Sequence, residues 1–122
     1  MKKIEVSILV LVLLITSLVY AADKGKIAVA AEGKTPTAEV SGVSGRSPYF
    51  LIFDGDGKLL EAVDNPYKEA QRGAGPSVVP FLAQKGADFV VAGKFGENMI
   101  QTMKSNGIQE QGTINCMLVE QL

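Results

Sequence analysis

The stretch Ser41–Gly57, with the sequence SGVSGRSPYFLIFDGDG, predicts the centre of the fold. Its first half consists of small residues and one arginine. Pro48 then introduces the apolar and aromatic run Tyr49–Phe53, which is typical of a buried β-strand. The segment 54–57, DGDG, predicts a hairpin turn because glycine adopts the positive φ angles of tight turns. We expect Lys58–Val63 to return as an antiparallel strand, and the small residues before Tyr49 indicate that backbone approaches something closely there.

Two more strands and two helices are predicted around this hairpin. Lys26–Ala31 and Asp88–Ala92 are short, apolar runs of the kind found in buried strands. One helix is expected to begin after Ser77 as its N-cap and to end before Gly86, and another to span about Glu97–Ser105. A strand–helix–strand unit requires a parallel pair, whereas the hairpin is antiparallel. The fold class is therefore α/β, with a mixed sheet and helices packed on it. A last short helix is predicted after Thr113 as its cap, with Ile114, Met117 and Leu118 on its apolar side.

The first 21 residues have the three-part layout of a secretory signal peptide. Lys2 and Lys3 form a positive start, Ile8–Val19 is almost wholly apolar, and small residues precede a cleavage site before Ala22. The apolar run is near the short limit for a membrane span, which needs about 20 residues, so an uncleaved anchor is the alternative. We expect a signal peptide over residues 1–21 and one domain over 22–122. That domain is expected to be exported, periplasmic or extracellular, and free of the membrane after cleavage.

Composition excludes several classes of function. Without the first 21 residues the chain has ten basic and twelve acidic side chains, a net charge of −2, which argues against nucleic-acid binding. Histidine is absent, so the chain cannot form a histidine-based triad or use a histidine general base. Cys116 is the single cysteine and cannot form an intramolecular disulfide. A two-metal hydrolase is disfavoured because Asp54 and Asp64 lack visible companion carboxylates.

Three glycine-containing loops are predicted to meet at one edge of the sheet. Glu32–Ser47 and Gly93–Gly96 follow two strands, and ligands in open α/β sheets lie beyond the carboxyl ends of parallel strands. The segment Arg72–Pro76 precedes the first helix, and helix amino ends carry N–H groups with partial positive charge. Each loop also carries a lysine or an arginine. The pattern predicts an anionic or oxygen-bearing ligand held by backbone amides and a few cations, and the alternative is that these glycines serve only turns.

The candidate ligand-binding residues lie in two of these loops, and a candidate metal ligand, Cys116, lies outside them. Arg46 is a candidate ligand contact, and its alternative role is an ion pair with Glu39 or Glu32. Cys116 is a candidate metal ligand or a site of intermolecular disulfide formation, and its alternative role is a small apolar residue of the core. The candidate ligand-binding residues are Ser41, Gly45, Arg46, Gly93, Lys94 and Gly96.

Seven short segments stand in a recognisable order along nearly all of the predicted mature chain. They are Lys26–Ala30, Gly45–Ile52, Asp64–Pro66, Gly73–Gly75, Lys85–Gly93, Gly96–Asn98 and Asn106–Ile108. In this order they resemble the dinitrogenase iron–molybdenum cofactor biosynthesis family. The resemblance implies a ribonuclease H-like fold. It also implies a small non-enzymatic module that binds iron–sulfur or iron–molybdenum clusters as cargo during their assembly or delivery.

The chain departs from the family pattern in two places. In many members a histidine and an aromatic residue precede the Gly-Arg pair, and that histidine is a candidate cluster ligand. Here those positions are Val43 and Ser44. The segment Ile108–Gln111 is shorter than the strand and turn of relatives, so the resemblance implies a final strand that is shortened or absent and a sheet edge that is exposed.

The sequence therefore predicts an exported, non-enzymatic carrier for an anionic metal–sulfur cluster or metallocofactor. Without the family histidine, binding is expected to be weaker and more electrostatic than in relatives, and hence sensitive to salt. The alternative is an exported protein-interaction scaffold that has lost cofactor binding. Such a scaffold would use the exposed sheet edge to bind a protein partner or a second copy of the chain.

Overall fold

The computed structural model describes residues 25–113 and 117–122. These residues form five strands, two α-helices and one turn of 3-10 helix. The predicted signal peptide over residues 1–21 and the candidate ligand Cys116 lie outside the described residues. No helix in the described part of the chain is long and apolar enough to cross a membrane. In chain order the elements are β1 Lys26–Ala31, β2 Tyr49–Phe53, β3 Leu59–Asp64, α1 Ala74–Gln84, β4 Ala87–Ala92, α2 Glu97–Ser105, β5 Gln109–Gly112 and the 3-10 turn Val119–Gln121.

The five strands form one mixed sheet in the order β3-β2-β1-β4-β5. The central hairpin strand β2 pairs antiparallel with both β1 and β3. On the other side β4 pairs parallel with both β1 and β5, and the two helices connect these parallel strands. The predicted ribonuclease H-like α/β fold, with its antiparallel hairpin and packed helices, is confirmed. The carboxyl ends of β1 and β4 consequently lie at the same edge of the sheet.

The turn between β2 and β3 follows from its sequence. The Asp54 carboxylate accepts hydrogen bonds from the N–H groups of Asp56 and Lys58, both at 2.9 Å. Gly57 has a φ angle of 88°, a left-handed conformation that favours glycine. The hairpin is thus fixed by local chemistry, and β3 begins one residue later than predicted.

The two faces of the sheet are covered unequally. Both helices lie on one face, where their apolar side chains form a buried core with the sheet. The other face is covered by the β1–β2 loop, which contributes Val40, and by the C-terminal segment, which contributes Val119. The core on the helical face includes Ala28, Ala30, Phe50, Ile52, Val90 and Ala92 from the sheet and Val78, Val79, Leu82, Met99 and Met103 from the helices.

The thinner cover leaves an open channel on the second face, which we call the apolar groove. It encloses about 480 Å³ and is lined mainly by aliphatic and aromatic side chains, among them Ile27, Phe53 and Leu59. Leu122 lines the groove and is 51% exposed. Phe89, the register partner of Ile27, is 40% exposed on the same face. A substantial part of this face therefore remains in contact with solvent in the single chain.

Helix α1 begins earlier than predicted, and Ser77 is not its N-cap. The N-cap is Gly73, whose φ angle is 71°, and the Ser77 N–H donates to the Gly73 carbonyl at 3.0 Å. Pro76 is the third helical residue, where its missing N–H removes no intrahelical bond. Most of the segment 72–76 that was predicted as a loop is therefore the first turn of the helix.

The C-terminal segment is also corrected. Strand β5 has only four residues, which confirms a shortened final strand. The N–H of Thr113 donates to the Ala92 carbonyl at 3.0 Å, so Thr113 continues the pairing with β4. Leu118 forms an antiparallel bridge with Glu39. The predicted last helix is thus wrong at Met117 and Leu118, while residues 114–116 lie outside the described residues.

Candidate functional site

A cavity of about 580 Å³ lies at the edge of the sheet where β1 and β4 end. Three segments line it: Val43–Arg46 from the β1–β2 loop, Gly73–Pro76 at the start of α1, and Lys94–Met99 from the end of β4 into α2. We call it the loop cavity. The three loops that the sequence places at one edge of the sheet do therefore meet there.

The amino ends of both helices open onto the loop cavity. Gly73 is the N-cap of α1 and Gly96 is the N-cap of α2, and neither helix has a side-chain capping hydrogen bond. The N–H groups of a first helical turn have no intrahelical acceptor. Both helix starts line one cavity, so their partial positive charges and the N–H groups of their first turns, except at Pro76, which has none, are brought to the same space.

Three charged side chains stand in the lining. Arg46 and Lys94 are basic, while Glu97 is the acidic residue in the first turn of α2, and all three residues are exposed. The formal charge of the lining is thus +1. Together with the two helix ends, this charge favours an anion over a cation in the cavity.

The glycines of the β1–β2 loop allow backbone segments to touch. A Cβ added at Gly45 would lie 2.6 Å from the nitrogen and 2.7 Å from the Cα of Gly75. One added at Gly93 would lie 2.8 Å from the Cα of Gly42. The close approach that the small residues before β2 indicate is therefore an approach to two other backbone segments, the start of α1 and the residue after β4.

Ser41 and Gly93 lie behind the cavity and not in its lining. The Ser41 N–H donates to the Ala30 carbonyl at 2.7 Å, and its own carbonyl accepts the Gly93 N–H at 2.8 Å. Ser41 is fully buried and joins the end of β1 to the residue after β4. Among the six candidate residues, those that line the cavity are Gly45, Arg46, Lys94 and Gly96. Ligand binding by any of the six stays a prediction.

Arg46 binds neither Glu39 nor Glu32, so the alternative role proposed for it, an ion pair, is wrong. Its guanidinium donates to the backbone carbonyls of Ala70 and Gln71, the second at 3.1 Å. Arg46 therefore joins the lining of the loop cavity to the neighbouring loop 65–72.

Asn65 is a structural residue of the site that the sequence analysis missed. Its side chain is buried, and its Nδ2 donates to the carbonyls of Gly45 and Ser47, both at 2.9 Å. Its Oδ1 accepts the N–H of Tyr67 at 2.9 Å. In the sequence, Asn65 is marked only as part of the family-like segment Asp64–Pro66. Two of its partners lie 18 and 20 residues away along the chain, so no local pattern indicates them.

The positions that precede Gly45 have distinct environments. Val43 is 51% exposed at the cavity, whereas Ser44 is buried and its hydroxyl donates to the sulfur of Met99 at 3.0 Å. Met99 also packs against Gly75, where an added Cβ would lie 3.0 Å from its Cβ. Within residues 25–113 and 117–122, no group of three or more cysteine, aspartate or glutamate side chains is placed to hold a metal ion.

The fold and the site define a class of protein: a small α/β domain that presents the amino ends of two helices in one cavity at the carboxyl edge of a mixed sheet. A family model described as dinitrogenase iron–molybdenum cofactor matches residues 25–114. The chain belongs to this family.

Several solved structures resemble the chain, and two of them illustrate the likeness. The apo form of the orange protein (ORP) from Desulfovibrio gigas is 29% identical, with a TM-score of 0.74, over 80% of this chain and 82% of that one. TM1290, a NifB-like protein of the DUF35 family from Thermotoga, is 31% identical with a TM-score of 0.67, over 80% of this chain and 82% of that one. No curated protein matches the chain significantly.

Proposed function

We propose that this protein is a non-enzymatic carrier that holds an anionic metal–sulfur cluster or metallocofactor in the loop cavity. The observation that carries the proposal is the convergence of two helix amino ends, both without side-chain caps, on a cavity that also contains Arg46 and Lys94. Membership of the iron–molybdenum cofactor family supports this class of ligand. The layout of residues 1–21 supports export to the periplasm or the cell exterior.

The cavity has the size and chemistry for such a ligand. Its volume of about 580 Å³ lies within the range of about 300–1,000 Å³ of small-molecule and cofactor sites. Backbone N–H groups at helix starts bind anions by hydrogen bonds and by the helix dipole together. Many weak contacts of this kind can hold an anionic cluster and still allow its release. A carrier requires both.

The hydroxyl in the lining supports binding more than catalysis. The Ser44 hydroxyl, which would be the nucleophile of an acyl-transfer enzyme, donates instead to the Met99 sulfur. The histidine that would activate such a hydroxyl is absent from the chain. These features support a protein that binds and delivers its ligand unchanged.

The direct test is anaerobic exposure of the full chain to a preformed synthetic iron–sulfur cluster and, separately, to a molybdenum–sulfide anion. After desalting, iron or molybdenum and sulfide are measured per chain at low and high salt. We expect about one cluster per chain at low salt and clear loss at high salt, because exposed charges are screened over about 10 Å at 0.1 M ionic strength. No retained metal at low salt would reject the proposal.

Gly96 offers a substitution that competes with the ligand. Its φ and ψ angles of −69° and 150° suit a capping residue, and a Cβ there would meet nothing within 4 Å. In Gly96→Asp, the carboxylate would accept the free N–H groups of α2 and place a negative charge in the cavity. We expect Gly96→Asp to bind least cluster and Gly96→Asn, which caps without charge, to be intermediate. Equal binding by wild type and Gly96→Asp would place the ligand elsewhere.

An alternative function is a protein-interaction scaffold, and one observation favours it. The edge strand β5 has four exposed residues, and the described part of the chain supplies no neighbour on its outer side. Unpaired strand edges can accept a partner strand. Size-exclusion chromatography at two concentrations tests this: a dimer that forms equally with and without cluster, in a chain that retains no metal, would favour the scaffold over the carrier.

A further inference from the structure

Two loops beside the loop cavity are joined by reciprocal hydrogen bonds. Asn65, at the start of the loop 65–72, donates to two carbonyls of the loop 42–47. Arg46, in the loop 42–47, donates to two carbonyls of the loop 65–72. We call this pair of side chains the clasp. Each is a multiple donor, and each binds the backbone of the other's loop.

The clasp fixes the direction of particular peptide groups. In a trans peptide the carbonyl and the following N–H point in opposite directions, and no cis peptide occurs in the described residues. Because the Gly45 carbonyl points to Asn65 at 2.9 Å, the N–H of Arg46 points away from Asn65. Gly45 and Arg46 both line the cavity. Within the described part of the chain, no protein acceptor binds the Arg46 N–H.

The clasp also engages carbonyl oxygens in hydrogen bonds. Four carbonyls, those of Gly45, Ser47, Ala70 and Gln71, accept hydrogen bonds from its two side chains, and of these four residues Gly45 is the one that lines the loop cavity. A carbonyl turned toward the cavity would repel an anion and attract a cation. Loops rich in glycine can readily turn their peptides over, because glycine tolerates most backbone conformations. A side chain that fixes the direction of such a carbonyl therefore influences whether the cavity binds an anion or a cation.

Asn65 suits this role because of its burial and its neutral amide. The residue is 1% exposed, and both its donor and acceptor atoms are engaged. Its backbone N–H also donates to the Pro48 carbonyl at 3.0 Å. A buried side chain held by this many bonds has one orientation, and that orientation fixes the two carbonyls that it binds.

We propose that Asn65 and Arg46 are positioning residues that make the loop cavity selective for anions: Asn65 holds the Gly45 carbonyl toward itself, Arg46 holds the loop 42–47 to the loop 65–72, and the Arg46 N–H is left available to a ligand. The selectivity assigned to the clasp rests on the proposed function, in which the cavity binds an anion. Arg46 then contributes mainly through its hydrogen bonds to the loop 65–72, and less through its charge.

The substitution Asn65→Asp gives a pH-dependent test. Its carboxylate would be buried against two carbonyl oxygens, which raises the pKa of that carboxyl above its ordinary value. Below that pKa the neutral acid can donate to one carbonyl and still accept the Tyr67 N–H, whereas above it the carboxylate repels both carbonyls. Since the pKa is raised in the folded state, the variant is most stable at low pH and loses stability as pH rises through the shifted value.

The experiment measures anion binding by the full chain through the backbone amide resonances of Gly45 and Arg46, with inorganic sulfate and the synthetic iron–sulfur cluster as separate probes. We expect Asn65→Asp to bind sulfate roughly tenfold more weakly than wild type at pH 8, as loss of about one hydrogen bond implies, and to recover most of that affinity at pH 5. Asn65→Leu should be weak at both pH values. Wild type should show no comparable recovery.

A second variant keeps the test valid if the Asn65 variants fail to fold. Arg46→Lys retains the charge but loses the planar group that reaches two carbonyls, so we expect it to bind sulfate several-fold more weakly. The matched control Lys104→Arg also exchanges one cation for another, but in the last turn of α2, outside the clasp and the loop cavity, and should bind like wild type. Wild-type affinity in Arg46→Lys, or a folded Asn65→Asp whose affinity does not change with pH, would overturn the inference.

The two probes separate this inference from the proposed function. If sulfate shifts the Gly45 and Arg46 amides and the variants behave as expected, while the cluster is not retained, the clasp is supported and the proposed cargo is rejected. If the cluster binds equally well to wild type, Asn65→Asp and Arg46→Lys, the carrier function is supported and the clasp is rejected. Absence of any sulfate response in wild type rejects the inference.

Discussion

The loop cavity and the apolar groove are both open spaces of several hundred cubic ångströms, yet backbone lines much of the first and apolar side chains line the second. The cavity is lined by glycines, by the first turns of two helices and by a loop whose Gly45 carbonyl accepts a hydrogen bond from Asn65. The groove is lined by side chains such as Ile27, Phe53 and Leu59 on a sheet face that neither of the two α-helices covers. One region thus presents backbone N–H groups, and the other presents apolar surface.

This difference determines which substitutions each region tolerates. A wall made of backbone is damaged by adding atoms, because an added Cβ collides with a neighbouring chain segment. A wall made of side chains is damaged by removing atoms, in proportion to the surface that was buried. A site that is lined by backbone can accordingly be recognised in a sequence by its glycines. It does not require chemically reactive side chains.

The largest effect is expected when the two sheet faces are compared through the same substitution. Leu82 lies on the buried side of α1 and is fully buried, so Leu82→Ala should lower the free energy of unfolding by about 2–5 kcal/mol. Leu59 lines the groove and is only partly buried, so Leu59→Ala should cost about 1 kcal/mol. Urea unfolding monitored by circular dichroism measures both. Equal costs would show that something covers the groove in solution.

A second comparison uses two glycines of one loop. Gly45→Ala should cost about 3 kcal/mol, because its Cβ would press on the backbone of Gly75 and cores tolerate such overpacking poorly. Gly42→Ala is the control, since a Cβ there would meet nothing within 4 Å, and its effect should stay within about 0.5 kcal/mol. The same unfolding experiment measures both. A stable Gly45→Ala would contradict the close approach of the loop to α1.

The smallest effects are expected from single charges. Glu97→Gln should tighten cluster or sulfate binding about threefold and Lys94→Gln should weaken it about threefold, since exposed charges contribute up to about 1 kcal/mol. Glu120→Gln, the same change at the apolar groove, should leave affinity unchanged. Calorimetric titration at two salt concentrations checks all three, and the differences should shrink as salt rises. Changes of the same sign for Glu97→Gln and Lys94→Gln would contradict an electrostatic site.

Much of the fold could be predicted from local pattern. The bounds of β1, β2 and α2 agree with the prediction, because alternating or helical apolar spacing and glycine turns are encoded within a few residues. The start of α1 could not be predicted in the same way. Gly73, Gly75 and Pro76 are ordinarily helix breakers, and they form a helix start here because Gly73 adopts a left-handed conformation and Pro76 falls within the first turn.

The C-terminal error has a different cause. Leu118 has an apolar, helix-compatible neighbourhood in the sequence, but it pairs with Glu39, which is 79 positions earlier in the chain. Contacts at such separations depend on which surface the folded sheet leaves uncovered. Local propensity is a weak guide where tertiary pairing decides the conformation.

The sequence by itself determined four of the five strands, the hairpin, the family and the meeting of three glycine loops at one edge of the sheet, since each of these follows from short-range pattern or ordered motifs. Only the tertiary structure decided what those loops do to one another. It placed Ser41 and Gly93 behind the cavity, turned Arg46 toward carbonyls and buried Asn65 between two loops. The physical reason is that a hydrogen-bond donor binds whichever acceptor folding brings within about 3 Å, and separation along the chain does not specify that acceptor.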